Sequence, residues 1–203
     1  MKKYFNFPLM LLCIWFIEFL WSYFYAYDVN VWYVEISSVV FAVLLLSLTY
    51  KKFRFSNLAY FIVFLWIFLH TIGACYTFER VPFLNVMEFF GVERNNFDRF
   101  AHFIIGVSSF LACEFVYRKR FISSLKFAAF FGIIFIMALA NFWELLEWIY
   151  AVVDGGDVGL AFLGSQGDIW DAQKDMLMDT LGACLGSIIF FVKFRKSSIN
   201  KTH

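Results

Sequence analysis

Near its C-terminal end the chain reads GDIWDAQKDMLMDTLGACLGSIIFFVKFRK, residues 167–196. Four acids stand in its first half: Asp168, Asp171, Asp175 and Asp179. Their spacing of three or four residues would place all four carboxylates on one face of an α-helix. No charge follows until Lys193. The stretch predicts a membrane-spanning helix that begins at Asp168 with a row of acids. Because a charge near the bilayer centre costs about 3 kcal/mol, something must neutralise them.

The rest of the chain is as apolar as this segment. Of its 203 residues, 62% are hydrophobic and only 16% are charged, so a soluble domain is excluded. Six apolar segments have membrane-spanning length: 8–27, 34–50, 58–77, 98–117, 127–150 and 168–192. They predict an all-α, polytopic membrane helix bundle of about six transmembrane helices in one domain, residues 1–203. A basic stripe is missing from the sequence, which argues against nucleic acid as a partner.

Basic residues predict the orientation of the bundle. They cluster at 2–3, 51–54, 118–126 and 193–201, which all fall on one side when six spans are threaded. By the positive-inside rule, the N- and C-termini are cytoplasmic. On the opposite side, between the third and fourth spans, residues 82–91 predict a short interfacial helix with Pro82 in its first turn.

Polar residues gather at the predicted external ends of spans four to six. The acids are Asp98, Glu144, Glu147, Asp168, Asp171, Asp175 and Asp179, and the bases beside them are Arg99 and Lys174. Asp98 and His102 are one helical turn apart on one face. Gly182 and Gly186 have the small-xxx-small spacing that lets another helix approach the last span closely. Acids outnumber bases, which predicts that a further positive charge is bound here.

Three neutralisers are compatible with this group. The first is a divalent cation (Mg²⁺, Mn²⁺, Ca²⁺ or Zn²⁺), because carboxylate oxygens and imidazole nitrogens are its usual ligands. The predicted ligands are His102, Glu144, Asp171, Asp175 and Asp179. Protonation of clustered acids is the second, and pairing with Arg99, Lys174, Arg94 or Arg80 is the third. Asp98, Asp168 and Asp171 could also serve as N-terminal caps. Whether Glu18, Glu35 and His70 belong to the group stays open.

In three segments around these residues, 96–103, 141–148 and 167–182, the sequence resembles the YjdF-like family of bacterial inner-membrane proteins. The resemblance covers most of the chain and is most specific from about residue 95 to 190; the predicted functional core is about 95–192. This half is also distantly similar to VanZ-like membrane proteins, which are linked to glycopeptide antibiotic resistance. The resemblance implies a multi-pass protein of the bacterial inner membrane, surrounded by lipid, and it implies no particular reaction.

The leading functional hypothesis is a cation site that opens to the external leaflet and acts on a lipid or polyprenyl-phosphate head group. In it, Glu147 or Asp98 is the general base and Arg99 binds an anion. A proton- or cation-coupled carrier or flippase is the second hypothesis. A non-catalytic envelope or antibiotic-resistance factor, whose acids only hold helices together, is the third.

Overall fold

The computed structural model describes residues 6–82, 94–154, 163 and 165–199, and their regular secondary structure is α-helical. The helices are α1 (Phe7–Phe24), α2 (Val29–Thr49), α3 (Asn57–Cys75), α4 (Phe97–Val107), α5 (Ser109–Arg118), α6 (Leu125–Asp154) and α7 (Asp171–Ile199). Helices α4 and α5 together form one apolar span, so six spans are long and apolar enough to cross a membrane. The predicted all-α architecture with six spans is confirmed, whereas the predicted interfacial helix at 82–91 falls largely outside the described residues.

The last helix begins later than the sequence predicts. The Trp170 amide donates to Asp168 Oδ1 (3.1 Å) and the Asp171 amide donates to the Asp168 carbonyl (3.2 Å), which closes a turn ahead of α7. Gly167 just before it has a φ of 80°, in the left-handed region that glycine adopts freely. The prediction of four aspartates on one helix is therefore wrong for Asp168, and α7 carries only the last three.

The contacts of the chain divide into two compact units, and unit 1 comprises Met1–Phe97. Within it, α1 and α2 both pack against α3. Hydrogen bonds join the helices in their buried faces: Trp15 Nε1 donates to Thr71 Oγ1 (3.2 Å), and Trp32 Nε1 donates to Ser22 Oγ (3.1 Å). A buried indole N–H needs such a partner, so these two bonds fix how α1 lies against α2 and α3.

Unit 2 comprises Asp98–His203, and its helices α5, α6 and α7 pack against one another. Its first span is interrupted at Ser108. There the Ser108 amide donates to the Ile105 carbonyl (2.9 Å) and the Leu111 amide donates to the Ser108 carbonyl (2.8 Å), three residues apart in each case. Such a tightened turn separates α4 from α5.

Glycines bring α4 and α7 into backbone contact. A Cβ added at Gly182 would collide with the Phe103 carbonyl and the Gly106 Cα, and one added at Gly186 would collide with the Val107 carbonyl. The predicted close approach at Gly182 and Gly186 is confirmed. Gly106, whose own Cβ would meet the Asp179 carbonyl, supplies the opposite side of the crossing.

Candidate cation-binding site

The acidic cluster of unit 2 is built where two helices begin. Asp98 lies in the first turn of α4 and Asp171 in the first turn of α7, positions where the helix dipole favours acids. Asp175 and Asp179 follow on the buried face of α7, with 3% and 2% of their surfaces exposed. The Gly106–Gly182 crossing holds α4 against this face, so side chains of the two helices meet.

Arg99 connects α4 with the start of α7. Its Nη2 donates to Asp168 Oδ2 (2.6 Å) and to Asp171 Oδ1 (3.0 Å), and Lys174 Nζ also donates to Asp168 Oδ2 (2.5 Å). The Lys174 hydrogen bond, the Trp170 amide and Arg99 together hold the pKa of Asp168 well below its usual range. These contacts form a charge-assisted clamp that neutralises Asp168 and Asp171 and ties the turn before α7 to α4.

His102 lies between two acids. Its Nδ1 is 2.9 Å from Asp179 Oδ2, and its Nε2 is 3.6 Å from Asp98 Oδ1 one turn earlier on α4. When Nδ1 carries a proton and donates to Asp179, Nε2 is left to accept a proton or a metal ion. A carboxylate that orients a histidine in this way is the usual second partner of a metal-binding imidazole.

Three potential ligand atoms converge beside this histidine. One ligand atom each from Asp98, His102 and Asp175 lie within 4.8 Å of one another. Asp175 Oδ1 is buried and receives no hydrogen bond in the described part of the chain, and the nearest nitrogen of Arg99 is 3.9 Å away. Two carboxylates and an imidazole are a donor set that suits Zn²⁺ or Mn²⁺. A cation bound at Asp175 Oδ1 would replace the water that this carboxylate oxygen loses on burial.

Glu144 of α6 supplies a further acidic oxygen. It lies within electrostatic range of His102, Asp98 and Asp179, and its Oε1 is buried without a hydrogen-bond partner among the described residues. Glu147 lies one turn nearer the end of α6, with a half-buried side chain. The predicted site residues of α4, α6 and α7 are therefore neighbours in one unit. For Glu147, this statement rests only on its position on α6.

The arrangement separates the predicted ligands into two groups. The first group is Asp171, which pairs with Arg99. The second group contains Asp175 and Glu144, which each have a buried oxygen without a hydrogen bond among the described residues. His102 and Asp179, which contact each other, complete the second group. Asp98, predicted as a base, is one of the three residues whose potential ligand atoms converge. Sequence reasoning missed Gly106; its signal would have been a small residue four positions after His102 on the same helical face.

Comparisons with known proteins agree with this architecture. A family model described as "Predicted membrane protein (DUF2238)" matches residues 7–196. The chain is also 34% identical over 171 residues to the inner membrane protein YjdF of Escherichia coli strain K12, and the alignment covers 83% of this chain and 81% of that relative. No solved structure matches the chain.

Proposed function

We propose that the chain, which belongs to the DUF2238 family of membrane proteins and lies in the bacterial inner membrane, binds a divalent cation through Asp98, His102 and Asp175. The observation that carries the proposal is the convergence of these three ligand atoms next to the Asp179–His102 contact. Glu144 is the proposed fourth ligand and would be the third oxygen donor beside the nitrogen of His102. When bound, the cation would polarise a phosphoryl or ester oxygen.

The residues of the chain have separate tasks in this proposal. Asp179 holds the His102 ring so that Nε2 faces the cation. Arg99 binds Asp168 and Asp171, so we assign it to positioning the start of α7 rather than to binding a substrate anion. Glu147, closer to the end of α6, is the proposed proton acceptor for an attacking water or alcohol.

A phosphate-bearing lipid or polyprenyl phosphate at the external leaflet is the proposed substrate class. The cluster is built from the starts of α4 and α7, which is where membrane helices reach the head-group level. Beside it, Ile169 and Trp170 expose 84% and 59% of their surfaces, and Trp148 on α6 exposes 59%. Exposed tryptophans are typical of the membrane interface. A divalent cation at that depth can bind a phosphate oxygen, whereas an acyl chain offers it no ligand atom.

The cation is tested first, by metal analysis of purified protein in nanodiscs after incubation with Zn²⁺, Mn²⁺ or Mg²⁺ and removal of the excess. Wild-type protein is expected to retain about one equivalent, and Asp175→Asn and His102→Gln are expected to lose at least tenfold in affinity, as for lost metal ligands or their supports. Asp168→Asn is the matched control, because Asp168 is held by Lys174 and Arg99 and is not a proposed ligand. Equal retention by all four proteins would contradict the site.

The substrate class is tested separately in nanodiscs that contain a polyprenyl phosphate. Binding of this lipid, measured by native mass spectrometry, is expected to fall when a chelator is added and to be weak in Asp175→Asn. If the cation binds as proposed but a chelator leaves lipid binding unchanged, the head-group part of the proposal is wrong and the cation site stands.

A cation- or proton-coupled carrier is a second candidate, favoured by a buried polar row beyond the cluster. Ser109 Oγ donates to the Ala183 carbonyl (2.9 Å), Ser187 Oγ lies 3.4 Å from Ser109 Oγ, and Cys113 Sγ lies 3.6 Å from Ser187. The next residue along α5, Glu114, is fully buried and pairs with Arg118 at the other end of the span. Ion or proton flux in liposomes that follows an imposed gradient and falls in Ser109→Ala would favour this candidate.

A further inference from the structure

Unit 1 contains a carboxyl group that the proposed function does not use. Glu18 lies in the middle of α1 with 8% of its surface exposed, and both of its carboxylate oxygens are buried. In the described part of the chain, neither oxygen has a hydrogen-bond partner. A membrane-embedded acid without a partner is rare because its charge is expensive to bury.

The buried face of α1 shows what Glu18 points towards. This face consists of Leu11, Trp15, Glu18 and Ser22. Trp15 bonds Thr71 on α3, and Ser22 bonds Trp32 on α2, one turn before and one turn after Glu18. Glu18 is also within electrostatic range of Cys75, which is one turn beyond Thr71. Its carboxyl group therefore faces α3 and α2 and not the lipid.

The groups on those two helices do not supply a positive charge to Glu18. Helices α1, α2 and α3 contain no lysine or arginine. The titratable side chains on the buried faces of α2 and α3 are Glu35, Tyr60, His70 and Cys75. His70 is the one base among them, and it is engaged elsewhere: its Nε2 lies 3.2 Å from Glu35 Oε2, 3.3 Å from the Glu35 carbonyl and 3.4 Å from Ser38 Oγ.

We propose that unit 1 contains a proton-binding site in which Glu18 is the carboxyl group that holds the proton. An ionised carboxylate at this position would lose its hydration and gain no countercharge, whereas the neutral acid avoids most of that cost. Glu35 differs from Glu18 because His70 lies against its carboxylate. The bound ligand of unit 1 is therefore a proton, while the cluster of unit 2 is suited to a metal cation.

Two measurements test the protonation state in the full chain in nanodiscs. The first is labelling with dicyclohexylcarbodiimide, an apolar reagent that enters membranes. The carboxyl proton moves to a carbodiimide nitrogen and the carboxylate oxygen adds to the central carbon; the resulting O-acylisourea rearranges to a stable N-acylurea. No group leaves, so the modified peptide gains the whole mass of one reagent molecule. The second is infrared difference spectroscopy of the carboxylic C=O stretch, which needs no access of a reagent.

The expected results are a label on the peptide that contains Glu18 at neutral pH, its loss in alkaline buffer, and a protonated-carboxyl band that Glu18→Gln removes. Glu35→Gln is the matched control and should keep both signals. Gln has the shape of a protonated Glu, so the variant is expected to fold like the wild type. A neutral-pH spectrum in which Glu18→Gln removes no protonated-carboxyl band would overturn the proposal, whatever the labelling shows. A label and band that depend on Glu35 instead would overturn the assignment to Glu18.

Discussion

The two units keep acids in the membrane by different means. In unit 1, the three spans carry Glu18 and Glu35 with His70 as the one base, and the acids lie well inside their helices. In unit 2, the acids begin in the first turns of α4 and α7 and are accompanied by Arg99, Lys174 and His102. Position along the helix accounts for part of the contrast, because Asp98 and Asp171 lie in first turns, where the helix start stabilises negative charge, whereas Glu18 lies in the middle of α1.

This contrast teaches that buried acids in one membrane protein can differ in the partners that neutralise them. In unit 2, Arg99 and Lys174 pair with Asp168 and Asp171, and His102 pairs with Asp179, so these acids have cationic or hydrogen-bonding partners. Unit 1 offers Glu18 no such surroundings, so neutralisation by a proton is the simpler solution. Equivalent substitutions in the two units can therefore show how much each buried acid depends on its partners for stability.

Removing the buried histidine of each cluster, His70 in unit 1 or His102 in unit 2, is expected to have the largest effect on stability. His102→Ala leaves Asp179 buried without its Nδ1 partner and Asp98 without its neighbour, a loss of about 3 kcal/mol in the free energy of unfolding. His70→Ala should cost less, because one acid side chain pairs with His70 and two pair with His102. Unfolding in mixed micelles, followed by tryptophan fluorescence, measures both.

His102→Asn is the control for this comparison. The Asn amide can donate to Asp179 from nearly the position of Nδ1, so part of the stability lost in His102→Ala should return. Asn has no counterpart of the metal-binding Nε2, so metal binding should not return. Equal destabilisation by His102→Ala and His70→Ala would mean that the two clusters are held by the same kind of interaction, contrary to the contrast drawn above.

Glycine-to-alanine substitutions compare the packing of the two units. At Gly182 the new methyl group would meet backbone atoms of Phe103 and Gly106, which cannot rotate away, so a loss of about 2 kcal/mol is expected. At Gly73 in α3 it would meet the ring of Phe78, a side chain that can shift. Both substitutions gain the same helix propensity, so the difference between them in free energy of unfolding reports the collision.

If Gly182→Ala also fails to retain the metal, the proposed cation site depends on the glycine contact, because the crossing of α4 and α7 aligns His102 with Asp179. If Gly182→Ala is as stable as the wild type, α4 and α7 can separate at little cost in free energy. The neighbour Leu181 exposes 49% of its surface, and Leu181→Val should therefore leave both stability and metal retention unchanged.

Hydropathy and spacing were sufficient to predict the spans, because each apolar run is long and ends at charged or turn-forming residues. Helical periodicity likewise placed Asp98 with His102 and aligned the three aspartates of α7. The start of α7 was mispredicted, since the Asp168 turn imitates a helix in its spacing. Which acid His102 contacts, and that Arg99 reaches Asp168 and Asp171, depend on the register between two helices. Hydropathy does not encode that register; the glycine contacts of Gly106 and Gly182 set it.

The smallest expected effect concerns Asp168, whose pKa is lowered in the folded protein by Lys174, the Trp170 amide and Arg99. A lowered pKa means that the ionised group contributes stability above its unfolded pKa of about 4 and loses it as the pH falls through the folded value. Asp168→Asn should therefore be slightly less stable than the wild type at neutral pH, and the gap should close in acid. Asp28 of unit 1, the cap of α2, is the control: Asn caps a helix as well as Asp, so Asp28→Asn should change the stability little at neutral pH. Unfolding curves from neutral to acidic pH measure both, and a gap for Asp168→Asn that persists in acid would mean that its carboxylate charge is not what fastens the start of α7.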